Sequence, residues 1–305
     1  MDNAVSLLSR FRARDSRALA QLASACEDRE EWVIPVLREL YASTGHARVF
    51  GVTGAPGAGK STLTSLITGL LRAQGRTVGV LAVDPVSPFS GGSLLGDRIR
   101  MSAHFNDPGV FIRSVSTRGQ LGGLSVASLE ITHLLDSFGF DDILVETVGV
   151  GQSEVEIRAI VDLTVVVLVP DWGDGVQAIK AGILEIGDVF AIHKADREGA
   201  DRVEADLRLA LQLAGRPALI VKTRADSPAS VQALLEAVES EMGRLGTSRT
   251  RERRLAGSPA RALVERAVLG EARGWVDARA GEGSNPYALF EEFRRKHPAG
   301  TLFRE

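Results

Sequence analysis

The stretch Val49–Ser61, VFGVTGAPGAGKS, constrains this chain more than any other. Gly54-x-x-x-x-Gly59-Lys60-Ser61 fits the phosphate-binding P-loop pattern, which requires a buried strand before it and a helix after it. Both are legible. Val49, Phe50 and Val52 form a short apolar run suited to a central parallel strand, and Leu63, Leu66, Ile67, Leu70 and Leu71 recur on one helical face. Glycines at 54, 57 and 59 let successive backbone N–H groups turn toward phosphate oxygens, where a Cβ would obstruct them. Ala55, Pro56 and Ala58 fill the loop between them, and Thr62 follows inside the helix, whose free N–H groups and positive dipole end add to the cradle. Lys60 places a point charge on the β- and γ-phosphates, and the Ser61 hydroxyl is a Mg²⁺ ligand. The chain is expected to bind a nucleoside triphosphate.

From Arg48 to about Leu245, strands and helices alternate, the pattern of an α/β P-loop fold with a mostly parallel sheet flanked by helices. The expected strands are Val49–Thr53, Thr77–Val83, Ile143–Glu146, Leu163–Val169, Val189–His193 and Ala218–Lys222. Residues 1–46 read as an N-terminal helical segment, with Pro35 starting its last helix and Gly45 closing it. Residues 47–246 read as the nucleotide domain. One of its helices is expected to start with Asp201 and Glu204 in capping-box spacing. Between the second and third expected strands lies a glycine-rich stretch, Asp84 to Gly123, long enough to suggest a functional loop. Thr247 to Arg254 is polar and basic, a linker into a helical extension that completes residues 247–305.

Composition narrows the function classes. A net charge of −3 gives no electrostatic footprint for nucleic acid. A single cysteine, Cys26, excludes an internal disulfide and a cysteine-based metal site within one chain. No apolar run reaches membrane-spanning length and the N-terminus lacks a signal peptide's hydrophobic segment, so a cytoplasmic protein without a membrane partner is expected. Lysine occurs only at 60, 180, 194, 222 and 296 in an arginine-rich chain. Each is a candidate for a place where arginine would not serve.

Further motifs follow the P-loop in the order a GTPase needs. Glu146-Thr147-Val148-Gly149 comes directly after a strand: the acidic residue can reach Mg²⁺ or its water, and the Gly149 N–H the γ-phosphate. Gln152 reads either as a water-orienting amide or as an ordinary loop residue. Asp84, at a strand end, and Asp97 read as metal-shell carboxylates or as helix caps. His193-Lys194-Ala195-Asp196 stands where guanine-binding proteins carry Asn-Lys-x-Asp. The lysine stem lies over the base, and the aspartate accepts from guanine N1–H and the exocyclic amine, groups that adenine cannot offer in that arrangement. Histidine replaces asparagine but can still donate one bond. Lys222-Thr223-Arg224-Ala225 is a weaker match to the Ser-Ala pair that touches the guanine carbonyl; Thr223, Arg224 and Ala225 are candidate base contacts or a plain strand exit. Pro170 to Lys180 is a loop in which Trp172 is a candidate partner contact or a packed residue.

With these residues in view, the chain resembles the MeaB/ArgK family of P-loop GTPases, the methylmalonyl-CoA-mutase-associated G-protein chaperones of the SIMIBI class. The likeness is carried by GVTGAPGAGKSTL, AVDPVSPFSGGSLLGDRIRM, VFIRSVSTRGQLGGLS, DDILVETVGVGQSE and QAIKAGILEIGDVFAIHKAD. It implies GTP/GDP and Mg²⁺ as cofactors and a homodimer joined by the C-terminal helical extension. It also implies an adenosylcobalamin-dependent acyl-CoA mutase as partner, with the adenosyltransferase a further candidate, and GTP-gated delivery of the cofactor. It assigns Lys60 and Ser61 to phosphate and Mg²⁺, and Asp84, Asp97 and Glu146 to the metal shell beside Ser61; Lys60, Asp84, Glu146 and Gly149 are the expected catalytic residues. Lys194 and Asp196 go to the base, with His193 a candidate base contact in the place of the usual asparagine. Three switches are implied as well: Asp84 to Asp97, Glu146 to Glu154 with Gln152, and Asp171 to Lys180 with Trp172, Asp174, Gln177 and Lys180. In that last loop the family's usual Pro-Gly-Ala-Gly-Asp-Glu-Leu-Gln reads Pro-Asp-Trp-Gly-Asp-Gly-Val-Gln, which points to a client related to methylmalonyl-CoA mutase rather than that enzyme. Two rivals are weighed against this. A nickel-delivery GTPase would need a cysteine- or histidine-rich site, and a small-molecule kinase an adenine preference and an acceptor pocket.

Overall fold

The computed structural model describes residues 2–84, 101–116, 126–147, 157–170, 183–216 and 218–246, together with residues 275 and 278. The chain divides into two compact units, Met1–Leu255 and Ala256–Glu305. Three short helices, α1 (Asp2–Arg12), α2 (Ser16–Asp28) and α3 (Val33–Leu40), open the first unit. Leu19, Leu22 and Ala23 of α2 are fully buried, whereas Val5 and Tyr41 turn outward. Asp15 caps α2 by accepting from the Arg17 N–H, and Pro35 sits in the first turn of α3, where its missing N–H costs nothing.

Seven parallel strands come next: β1 (Arg48–Gly54), β2 (Val78–Asp84), β3 (Val110–Ser116), β4 (Asp142–Thr147), β5 (Leu163–Leu168), β6 (Val189–His193) and β7 (Leu219–Thr223). Their order is β3-β2-β4-β1-β5-β6-β7. Among the described residues the sheet is joined by helices α4 (Lys60–Ala73), α5 (Val126–Phe138), α6 (Ile183–Ile186), α7 (Ala200–Leu213) and α8 (Pro228–Leu245). β4 and β5 are continuously buried, and β1 is from Val49 onward, because helices cover both faces of the sheet. α4 and α8 close one face through Leu63, Ile67, Leu71, Leu234 and Val238, and α7 packs beside β6 on the other. The chain passes from β4 across β1 to β5, so β1 stands at the switch point where such sheets bind ligands.

Two elements depart from the sequence reading. β3 lies inside the stretch Asp84 to Gly123 that reads as a loop, and α5 comes after it. Arg113 interrupts the apolar run of β3, but its guanidinium is spent on Glu27 of α2 at 2.6 Å and on Ser24 at 3.2 Å. In α5 the residues Ser128, Glu130, Thr132 and Asp136 are all buried between the sheet and the N-terminal helices, so no clean apolar stripe marks it. Asp136 has a purpose there. Its carboxylate accepts from three successive amides, Gly45 at 2.6 Å and His46 and Ala47 at 2.9 Å, gripping the chain as it leaves the helices for β1. The expected capping box at Asp201 and Glu204 is a third departure. Gly199, in a left-handed conformation, caps α7, and both acids instead pair with Lys222 on β7, at 2.6 and 2.5 Å.

Candidate functional site

β1, β2, β4, β6 and β7 end at one edge of the sheet, at Gly54, Asp84, Thr147, His193 and Thr223. The P-loop leaves β1 there. Gly54, at φ +136°, lies so close to β5 that a Cβ would stand 2.2 Å from the Val167 carbonyl oxygen; only glycine lets the loop start. Pro56 and Gly57 are exposed at the crest of the loop, and Ala55 and Ala58 are buried beneath it. Lys60 opens α4 buried, and its Nζ donates to the Gly54 and Ala55 carbonyls, each at 2.8 Å. Thr62 faces outward one residue beyond Ser61.

Two of the four expected metal residues meet. Ser61 Oγ donates to Glu146 Oε1 at 2.5 Å, and both side chains are buried. β4 delivers Glu146 beside β2, where it registers with Ala82; the Asp84 backbone ends β2 two residues on. Beneath them a brace appears that sequence reasoning missed: Thr53 Oγ1 and Thr147 Oγ1 lie 2.8 Å apart, fully buried, tying the ends of β1 and β4. A polar residue at the end of an apolar strand run is the only signal of it in the sequence. Among the described residues, no group of three or more His, Cys, Asp or Glu side chains could hold a metal ion. Asp97, Gly149, Gln152, Asp171, Trp172, Asp174, Gln177 and Lys180 lie outside the described residues.

The base-recognition residues converge from β6 and β7. Lys194 adopts a left-handed backbone, φ +56°, and its Nζ donates to the Gly57 carbonyl at 2.8 Å, so its stem spans from the β6 loop to the P-loop. The Ala195 N–H donates to the Thr223 carbonyl at 3.1 Å, joining the two base loops. Asp196 is exposed at this edge, and Arg224 pairs bidentately with Asp226, at 3.0 and 2.8 Å, rather than with a neighbour in the site. Ala225 is exposed next to it.

His193 is more deeply built in than its position in a motif suggests. It is buried, its Nδ1 lies 3.1 Å from Thr223 Oγ1, and its ring edge presses on the P-loop. A Cβ at Gly59 would stand 2.5 Å from its Cδ2 and 2.9 Å from its Nε2. Gly59 is thus glycine twice over, for its φ of +92° and for this imidazole. Burial, helped by the adjacent Lys194 charge and opposed by Asp196, holds the His193 pKa below its usual value. The ring is therefore neutral at physiological pH.

Comparison with known proteins identifies the family. The family model described as methylmalonyl-CoA-mutase-associated GTPase MeaB matches residues 16–274. A Pyrococcus abyssi protein that carries a provisional GTPase name is 53% identical over 207 residues, 68% of this chain and 64% of that protein. The mouse protein named methylmalonic aciduria type A homolog, mitochondrial, is 45% identical over 169 residues, 54% of this chain and 41% of that one. This chain thus matches less than two thirds of the length of these curated relatives. A crystal structure described as an LAO/AO transport system kinase superposes with a TM-score of 0.68, covering 97% of each chain at 24% identity, and shares the fold.

Proposed function

The chain belongs to the family of methylmalonyl-CoA-mutase-associated GTPases, and from that premise we propose that it is a Mg²⁺-dependent GTPase acting as a G-protein chaperone. It would gate adenosylcobalamin loading and protection of a B12-dependent acyl-CoA mutase, working as a homodimer joined through residues 247–305. One observation carries the nucleotide part of this reading: phosphate and base motifs meet at a single sheet edge, with Lys194 bridging to Gly57.

Mg²⁺ fits the residues present. Ser61 and Glu146 bring two buried oxygen donors within 2.5 Å of each other, a donor set that suits a hard cation. They would hold the ion, with Asp84 and Asp97 as further carboxylates. Bound there, the ion supplies positive charge to the β- and γ-phosphate oxygens. The protein's own groups do the rest. Lys60 moves from loop carbonyls onto the phosphates, and the amides from Gly54 to Ser61 surround them. The Lys194 stem covers the base, Asp196 accepts from guanine N1–H and the exocyclic amine, and neutral His193 offers one ring nitrogen beside the P-loop. Hydrolysis by the chain alone is slow in this reading, because the sequence provides no evident arginine finger. Loss of the γ-phosphate releases the switch segments, and that conformational signal is the output.

The mouse relative's name ties that protein to methylmalonic aciduria, which supports a mutase as client. The altered residues Asp171, Trp172, Gly175 and Val176 point to a client related to methylmalonyl-CoA mutase but distinct from it. Titrating the purified protein, loaded with GDP or a non-hydrolysable GTP analogue, against several purified B12-dependent mutases tests both statements. Nucleotide-dependent binding to one of them is expected. Equal indifference to all would overturn the chaperone role, and preference for methylmalonyl-CoA mutase itself would overturn the choice of client.

A further inference from the structure

At the far end of the sheet from the P-loop, a groove of about 970 Å³ runs between the α1–α2 corner and β3. Its floor is aromatic: Phe138 stacks on Phe140 at 5.5 Å, Phe111 lies 6.3 Å from Phe140, and Phe105 stands half exposed at the rim. Val110, Phe111 and Ile112 of β3 form one wall. β3 pairs only with β2 among the described residues, so its outer edge has no strand partner there.

The opposite wall is basic. Arg14 comes just after α1 at φ +64°, in the left-handed position where helices normally end in glycine. An arginine there costs backbone energy that glycine would avoid. Its guanidinium stacks over Phe138 at 5.5 Å and crowds Gly139, reaching toward the groove. Arg17 lines the same wall. Neither guanidinium has a carboxylate partner among the described residues. The nearby acids are already spent: Asp15 pairs with Arg10 at 2.6 Å, and Asp107 is held by Arg72 at 2.8 and 2.9 Å. Among the described residues, the groove therefore joins an aromatic floor, a β3 edge without a strand neighbour and two cations without a carboxylate partner.

We propose that this groove docks an extended acidic segment of a partner protein. Its carboxylates pair with Arg14 and Arg17, an apolar side chain rests on Phe105 and Phe111, and its backbone runs along the outer edge of β3. A small anion would use the arginines but neither the strand edge nor the length of the groove.

The test is selection of random ten-residue peptides on the full chain, counter-selected on an Arg14→Gly, Arg17→Glu double variant. Glycine suits φ +64°, and glutamate suits the first turn of α2, so the melting temperature of the double variant should not fall. Acidic peptides with alternating apolar residues should be enriched. They should bind at least tenfold more weakly to the double variant and to Phe105→Ser, lose affinity with added salt, and protect β3 amides from hydrogen exchange. Peptides that bind wild type and variants equally, protection away from β3, no acidic enrichment, or displacement by millimolar inorganic phosphate alone would each overturn the proposal.

Discussion

The two edges of the one parallel sheet use charge in opposite ways. At the edge where the strands begin, Asp142 is fully buried between Arg48, at 2.7 Å, and Arg76. Arg48 reaches on to Glu239 at 2.9 Å, and Asp141 accepts from the Thr77 N–H and hydroxyl at 2.7 and 2.8 Å. Burial alone would lower the Arg48 pKa, yet Asp142 and Glu239 outweigh it and leave it raised. At the edge where the strands end, Lys60 reaches two backbone carbonyls and Glu146 a serine hydroxyl. A phosphate oxygen can take the place of the carbonyls at Lys60, and a metal ion that of the hydroxyl proton at Glu146. The first edge is closed by mutual neutralisation, which stabilises; the second is arranged for exchange, which serves a ligand.

Substitutions should separate the two edges. Lys60→Ala is expected to lower GTP turnover by about a hundredfold or more, in line with the loss of one preorganised donor, while thermal unfolding barely moves; unchanged turnover would remove Lys60 from the site. Asp196→Asn should shift preference from guanine toward xanthine nucleotides by roughly a thousandfold or more in relative affinity, measured by competition, and retained guanine preference would sink the base assignment. Asp142→Ala should reverse the pattern, costing about 3 kcal/mol of stability because two arginines lose a buried partner, with GTP affinity of the folded protein intact. A comparable loss of affinity would mean that the edges are coupled.

The smallest effect concerns pH. The folded pKa of His193 is depressed, so below its ordinary value of 6.5 the unfolded chain binds more protons than the folded one. Its contribution to stability is complete above 6.5 and is lost as pH falls through the lower, folded value. Melting curves between about pH 5 and 8 should show this slope in wild type, and His193→Asn should flatten it. An unchanged slope would place the titration elsewhere.

The exchange edge is the more legible in sequence, because glycine, lysine and aspartate sit there in fixed spacing imposed by a ligand of fixed shape. The six strands expected from apolar runs fall within one residue of their observed bounds, since central parallel strands leave little room for polar residues. What escapes such a reading is polarity satisfied at a distance. Arg113 hides β3 because its partner, Glu27, lies 86 residues away. Asp136 and Glu130 hide α5, and Lys222, across the β7 edge, draws Asp201 and Glu204 away from a local cap. Thr223 reads as a base contact by position alone, and its bond to His193 needs the fold.

The grip of Asp136 on Gly45, His46 and Ala47 has a consequence for dissecting the chain. A truncated protein beginning at residue 47 would leave this carboxylate, which is 1% exposed, with one of its three amide donors at a frayed terminus. The same cut would uncover the face of α5 that α2 now covers. A buried anion that loses hydrogen-bond donors is costly, and a helix face that packing normally covers promotes association once bared. The nucleotide site, which touches none of those residues, would then be lost through insolubility rather than chemistry, so an inactive truncation would say nothing about a catalytic role for the first three helices.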